Sequence, residues 1–93
     1  MSYKVFLHPN AKEKIEKIGK KDREIGRRIK KKIKSLSDFP EKKGKTLKHS
    51  DHFSVRIGKY RVIYEIKQEE NRVNVLWAGH REKVYEDFQK FFF

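Results

Sequence analysis

The chain has 93 residues, 25 of them Lys or Arg and 13 Asp or Glu, which gives a net charge of +12 and a pI near 10.0. That length allows one domain burying roughly 60–65% of its surface, and zero cysteines exclude a disulfide scaffold or a Cys-ligated zinc. No stretch approaches the ~20 apolar residues of a membrane span, and the apolar run between Met1 and Pro9 is too short for a signal peptide. The expectation is a cytoplasmic domain over residues 1–93 with a polyanionic partner and no membrane contact.

In chain order, residues 2–7 read as a short strand stopped by Pro9. Asn10 and Glu13 have capping-box spacing, Ala11, Ile15 and Ile18 fall on one helical stripe, and Gly19 suits a C-terminal cap. A second helix is expected from about Lys21 to Leu36, because Ile25, Ile29, Ile33 and Leu36 recur at helical spacing and leave the other faces to Lys and Arg. Residues 37–44 read as a loop. The period then changes to two. Residues 53–57 alternate, Gly58-Lys59 offers a two-residue turn, and residues 60–66 continue the alternation with Ile63 outward. A third strand covers residues 72–78, Gly79-His80-Arg81 breaks it, and residues 82–90 form a short amphipathic helix.

The charge is uneven. Residues 1–48 carry a net +11 and residues 49–93 a net +1. The densest block comprises Lys20, Lys21, Arg23, Arg27, Arg28, Lys30, Lys31, Lys32 and Lys34. It reads either as a solvated helix face or as an electrostatic footprint for nucleic acid, and so high a charge on so small a domain favours the second.

A two-residue turn at Gly58-Lys59 sets Phe53 opposite Tyr64, Val55 opposite Val62 and Ile57 opposite Tyr60 on one apolar face. The other face then sets Arg56 directly across from Arg61, with Ser54 across from Ile63. Like charges so placed repel by a few tenths to ~1 kcal/mol, so an anion belongs between them. A carboxylate such as Glu65 or Asp51 meets that need, and so does a phosphate, which guanidinium groups bind through planar contacts. Arg81, with His80 before it and Tyr85 after it, follows the third strand where a loop could aim it at the same face. The segment His49-Ser50-Asp51-His52 reads as surface loop rather than a metal site.

Two segments carry a family resemblance. Gly58-Lys59-Tyr60-Arg61-Val62-Ile63-Tyr64 is similar to the G-x-Y-R-[VIL]-[VIL]-Y strand of the RelE/ParE superfamily of toxins, and Gly79-His80-Arg81-Glu82-Lys83-Val84-Tyr85 to its G-H-R-x-x-V-Y ending. The resemblance covers essentially the whole chain. It implies an α+β fold: an N-terminal strand, a basic helical hairpin packed on a small, mainly antiparallel sheet, and a short C-terminal helix. It also implies the toxin of a toxin–antitoxin system, a ribosome-dependent endoribonuclease needing neither metal nor cofactor. Cleavage is by attack of the RNA 2′-hydroxyl on the adjacent phosphate.

Carried over by motif position, Arg61 holds the scissile phosphate, Arg81 contacts the same phosphate or assists the leaving oxygen, and Tyr85 is a candidate base or a stacking platform. The implied partners are mRNA, the 16S rRNA of the ribosomal A site, and an acidic RelB-like antitoxin with an amphipathic helix. That antitoxin would wrap the hairpin or pack on Tyr85, Phe88 and the terminal phenylalanines, unless those close over the toxin's own sheet. The basic block would dock on the ribosome.

One departure stands out. The strand that often carries two lysines in ribonuclease members has Ser54 and Arg56 here, so Ser54 lacks a charge, and Lys48 just before the strand is a substitute. The base stays open between Tyr85 and His80: a phenol titrates near ~10 and needs neighbouring cations, whereas an imidazole titrates near ~6.5. Two other functions compete, a ParE-like inhibitor of DNA gyrase and an inert basic RNA-binding module.

Overall fold

Pro9 fixes the first boundary. It cannot extend a strand and is pre-set for the first helical turn, so β1 (Lys4–Leu7) gives way at once to α1 (Pro9–Lys21). A computed structural model describes residues 2–47 and 50–92. The capping residue of α1 is His8, whose Nδ1 accepts the Asn10 N–H at 3.1 Å, rather than Asn10 itself. The helix also runs past Gly19, the expected cap, to Lys21. Asp22 then closes α1 and caps α2 (Arg23–Ser35), its carboxylate accepting the Ile25 N–H. Gly19 has a packing role instead. A Cβ on Gly26 would lie 2.7 Å from the Gly19 Cα, so the two glycines let α1 and α2 cross backbone to backbone.

The segment read as loop contains α3 (Pro40–Lys43) and a two-residue strand, β2 (Lys45–Thr46). The sheet continues with β3 (His52–Ile57), β4 (Tyr60–Lys67) and β5 (Arg72–His80), and α4 (Val84–Phe92) ends the described chain. The strand order is β1-β5-β4-β3-β2; β1 runs parallel to β5 and the other pairs are antiparallel. Between β3 and β4 the register is the expected one, Arg56 against Arg61 included, with Gly58 turning at φ 59°.

The hairpin covers one face, where Ile15, Ile18, Ile25, Ile29, Ile33 and Leu36 pack on Val55, Val62, Tyr64, Val73 and Val75. Burial of each such aliphatic side chain stabilises by about 1.5–3 kcal/mol relative to exposure. The opposite face carries a smaller cluster of Ile63, Leu76, Trp77, Val84 and Phe88, built under α4. Ile63, expected to point outward from the hairpin face, does so and is fully buried under α4. A β-bulge makes this second cluster possible. Ile63 pairs with Trp77 but Tyr64 pairs with Val75, so Leu76 is the extra residue and the side-chain phase of β5 reverses after it. Among the described residues no helix is long and apolar enough to cross a membrane.

Candidate nucleic-acid and catalytic site

The α4 face holds the candidate chemistry. His52, Ser54 and Arg56 of β3 share it with Arg61 of β4, because opposed residues of an antiparallel pair project to the same side. Helix α4 is anchored over this face by Val84 and Phe88, both buried and one turn apart. Val84 sits against Gly79, where a Cβ would be only 3.5 Å from its Cγ2. That anchoring lowers Tyr85, still 38% exposed, onto the sheet.

Ser54 joins the parts. Among the described residues it is the one buried side chain that is neither apolar nor aromatic, its Oγ accepts from Arg61 Nη1 at 3.1 Å, and it lies 3.1 Å from the Tyr85 hydroxyl. The position flagged in the sequence as a lost charge is thus the bridge between two candidate catalytic side chains. Arg56 is exposed and donates from Nε to the Gly58 carbonyl at 3.0 Å. Among the described residues neither Arg56 nor Arg61 forms an ion pair. Glu65 is instead engaged by Asn74 at 2.9 Å and by Lys67 at 3.8 Å, so the carboxylate alternative for the arginine pair is not realised.

Arg81 and His80 are placed differently from Arg61. The third strand does not break at Gly79: it runs through His80, with Gly79 opposite Arg61 and His80 opposite Tyr60. Because the bulge has reversed the phase, His80 projects with Tyr60 toward the hairpin side, edge-on to that ring at 6.0 Å. Its Nδ1 accepts the Glu82 N–H at 3.3 Å. His80 therefore does not join Ser54, Arg61 and Tyr85. Arg81 begins the turn into α4, its N–H bonded to the Lys59 carbonyl at 2.8 Å and its side chain exposed. Lys48 and His49 lie outside the described residues.

A cleft of about 290 Å³ opens beside Arg61, lined by Lys32, Lys43, Gly44, Lys45, Ser54, Val55, Arg56 and Arg61. Five of these carry positive charge and none is acidic. The sequence reading included Lys32, Arg56, Ser54 and Arg61 but missed Lys43 and Lys45. Their signal was present: Lys43-Gly44-Lys45 alternates at strand period directly after a Pro-initiated turn. A neighbouring cleft, lined by Arg28, Lys31, Lys32, Ser35, Arg56 and Ile57, continues the positive surface. The basic block thus divides by helical phase. Arg28, Lys31 and Lys32 face the Arg61 side, whereas Lys20, Arg23, Arg27 and Lys30 line a separate 480 Å³ cleft over the α1–α2 crossing. Lys21 and Lys34 are exposed.

The tail divides too. Phe88 is buried and Phe92 half-buried in the second cluster, while Phe91 stacks on Trp77 at 5.0 Å yet stays 62% exposed. Phe93 is outside the described residues.

Comparison with known proteins agrees with this architecture. Residues 5–85 match the family model described as the ParE toxin of the parDE type II toxin–antitoxin system. A RelBE toxin–antitoxin complex from Mycobacterium tuberculosis contains a similar chain, 28% identical over 87% of this chain and 100% of that one, with a TM-score of 0.77. The Escherichia coli toxin RelE in the free state superposes over 100% of both chains at TM-score 0.78 and 22% identity. The toxin of an archaeal RelE–RelB complex from Pyrococcus horikoshii does so over 90% of this chain and 100% of that one, at 0.74 and 22%. No curated protein sequence matches the chain.

Proposed function

Since the chain belongs to the ParE toxin family of type II toxin–antitoxin systems and has the RelE-like fold, we propose that it acts as a ribosome-dependent endoribonuclease on mRNA. The observation that carries this reading is the Ser54-bridged pair of Arg61 and Tyr85 at the mouth of a cleft with five cations and no acid.

In the proposed reaction the 2′-hydroxyl oxygen bonds to the adjacent phosphorus and the P–O5′ bond breaks. The departing 5′-oxygen takes a proton from water as the bond breaks, and the products are a 2′,3′-cyclic phosphate and a 5′-hydroxyl. The transition state carries an extra negative charge on its non-bridging oxygens. A fixed guanidinium aimed at that charge is worth ~3–4 kcal/mol in a water-poor site, and Arg61 has that role. Tyr85 takes the 2′-hydroxyl proton. Because Arg61 donates to Ser54 Oγ, the serine proton is free to point at the Tyr85 oxygen, which holds that oxygen in one geometry with the guanidinium. The placement of His80 on the hairpin side favours Tyr85 over it as base. Arg81, exposed in the turn before α4, reaches for the phosphate or the leaving oxygen once RNA is bound. No deep pocket is needed, because the ribosome supplies the positioning of the 2′-hydroxyl in line with the leaving oxygen.

The ribosome and mRNA, then, are the proposed partners, with the basic block docking on 16S rRNA. An acidic RelB-like antitoxin is the other. Similar chains occur in the RelBE2 toxin–antitoxin complex of Mycobacterium tuberculosis and the RelE–RelB complex of Pyrococcus horikoshii. An apolar cleft of about 270 Å³ formed by Leu7, Ile15 and Ile33 and ringed by Lys12, Lys30 and Lys34, with Glu16 as the one acid on its rim, suits an apolar segment with acidic flanks, which supports the hairpin as its seat. The compartment is the cytoplasm.

Translation extracts test this reading. We expect mRNA cut within ribosome-bound codons by the wild type and not by Arg61→Ala. A second reading, gyrase inhibition, is favoured by the description of the matched family as the parDE toxin. Intact mRNA together with double-strand DNA breaks would replace the first reading by the second.

A further inference from the structure

The cleft beside Arg61 is wider than one phosphate requires, and its far wall is a built element rather than a fringe of surface lysines. Segment 40–46 is strapped along the outer edge of β3, with Lys45 opposite Ser54 and Thr46 opposite Phe53. The Tyr64 hydroxyl, fully buried, donates to the Pro40 carbonyl at 2.7 Å and lies close against Gly44. At Gly44 a Cβ would stand 2.5 Å from that hydroxyl and 2.7 Å from the Ser54 carbonyl oxygen, so only glycine lets the strap lie this close. Lys43 is held by a hydrogen bond from Nζ to the Ser35 carbonyl at 2.7 Å. Lys45 pairs with Ser54 in the ladder and so projects on the side of Arg61. The Lys43 side chain and the Lys45 backbone are thereby placed beside the arginine. Lys45 on β2 lies across β3 from Ile63, and Arg61 is two residues away along β4, so the two backbones stand roughly 11–12 Å apart. With side chains reaching into the cleft, that span suits two successive phosphates better than one.

We propose that Lys43 and Lys45, with Lys32 and Arg56, form a second phosphate subsite that binds the RNA linkage next to the one held by Arg61. The inference rests on the cleavage reading of Arg61 and adds the direction in which the substrate strand leaves the site: across β3, over the strap, toward α2. Lys32 and Arg56 also line the neighbouring cleft with Arg28 and Lys31, which extends the same track. Tyr64 is a positioning residue for this subsite, since its hydroxyl fixes the strap without touching the cleft.

The probe is a 2′-O-methyl RNA trinucleotide, which lacks the attacking hydroxyl and has two linkages, either of which can be made neutral as a methylphosphonate. Binding is followed by NMR chemical shifts across a salt series. We expect Lys43→Ala/Lys45→Ala to weaken binding about three- to tenfold and to flatten the salt slope by about 0.7 for one lost phosphate contact. Neutralising one linkage should weaken the wild type and Arg61→Ala but leave the double lysine variant unaffected. Neutralising the other should spare only Arg61→Ala.

Tyr64→Phe should reproduce part of the lysine effect in variant molecules that remain folded. An unchanged affinity and slope in the double lysine variant would overturn the proposal. So would both variants becoming insensitive to the same linkage, or no trinucleotide binding by the wild type. Cleavage in translation extract is read separately. A wild type that cuts mRNA while the lysine variant binds RNA unchanged removes the subsite and leaves the Arg61 reading standing.

Discussion

The hairpin face and the α4 face of one five-stranded sheet use their residues in opposite ways. On the hairpin face a continuous aliphatic cluster runs from Ala11 through Ile33 to Ala78, and its cations stay on the solvent side of α1 and α2. On the α4 face five residues from Ile63 to Phe88 are enough to seat a nine-residue helix, and the rest of the surface is polar. Stability is concentrated where there is no chemistry, and the chemistry sits where little core has to be disturbed to expose it. This separation lets a 93-residue chain keep uncompensated arginines in a half-open cleft and still fold. It makes a sharp demand of mutations: those on the hairpin face should change stability and spare cleavage, and those on the α4 face should do the reverse.

The largest effect expected is at Arg61. Arg61→Ala removes the cation meeting the transition-state charge and should lower mRNA cleavage by roughly a hundred- to a thousandfold. The denaturation midpoint should stay close to wild type, because among the described residues Arg61 makes no ion pair that its loss would orphan. An equal fall in stability would erase the contrast between the faces.

Gly26 is the counterpart on the hairpin side. A methyl group there meets the Gly19 backbone at 2.7 Å, and backbone cannot rotate aside. Gly26→Ala should cost about 3 kcal/mol by urea denaturation, with cleavage per folded molecule unchanged. Reduced cleavage at full stability would mean that the helical crossing shapes the site.

How far the two faces could be read from the sequence follows the same division. The hairpin face was legible because it obeys simple periods: Ile25, Ile29 and Ile33 at helical spacing, and strict alternation through Phe53–Ile57 and Tyr60–Ile66. The β3–β4 register, including Arg56 against Arg61, follows from one glycine turn. The α4 face was legible only in its residue types. The bulge at Leu76 leaves no mark in composition, yet it reverses the phase of β5, buries Trp77 under α4 and turns His80 away from Arg61. Without it His80 would have shared the arginine face, which is why the base stayed open between His80 and Tyr85. Ser54 was read as an absence of charge because a hydroxyl's value lies in its two partners, and those come from β4 and from a helix 31 positions away. Lys43 and Lys45 went unread because Tyr64, the residue that fixes their strap, is distant in sequence.

Tyr64 ties the hairpin-face core to the strap that carries Lys43 and Lys45, so its titration measures how tightly that strap is held. Burial pushes its pKa up to about 12 from an ordinary 10, with Glu41 adding to the rise and the Gly44 N–H opposing it. Below about pH 10 both folded and unfolded chains hold the proton and nothing changes. Between about 10 and 12 the unfolded chain releases it first, so stability falls with rising pH, by on the order of 2 kcal/mol over the window. Tyr64→Phe should be about 1–2 kcal/mol less stable than wild type at neutral pH, having left the Pro40 carbonyl unpaired. Its stability should also fall less between pH 9.5 and 11.5. Parallel pH profiles for the two proteins would show that this hydroxyl is not what the alkaline transition titrates.

Ser54→Ala is the smallest change and the most discriminating. The serine is buried, but both its partners reach solvent, so water can replace the lost hydrogen bonds on Arg61 and Tyr85. The fold should lose no more than about 1 kcal/mol. The site loses more than that suggests, because Arg61 and Tyr85 would no longer be held in one geometry and the Tyr85 oxygen would lose its neighbouring donor. We expect kcat for mRNA cleavage to fall about tenfold with KM nearly constant, the signature of an interaction that matters in the transition state. Ser54→Thr, which keeps the hydroxyl, should recover most of the rate. If stability falls and kcat does not, the bridge belongs to the core. The α4 face would then be held together by the same packing logic as the hairpin face, with Arg61 acting alone.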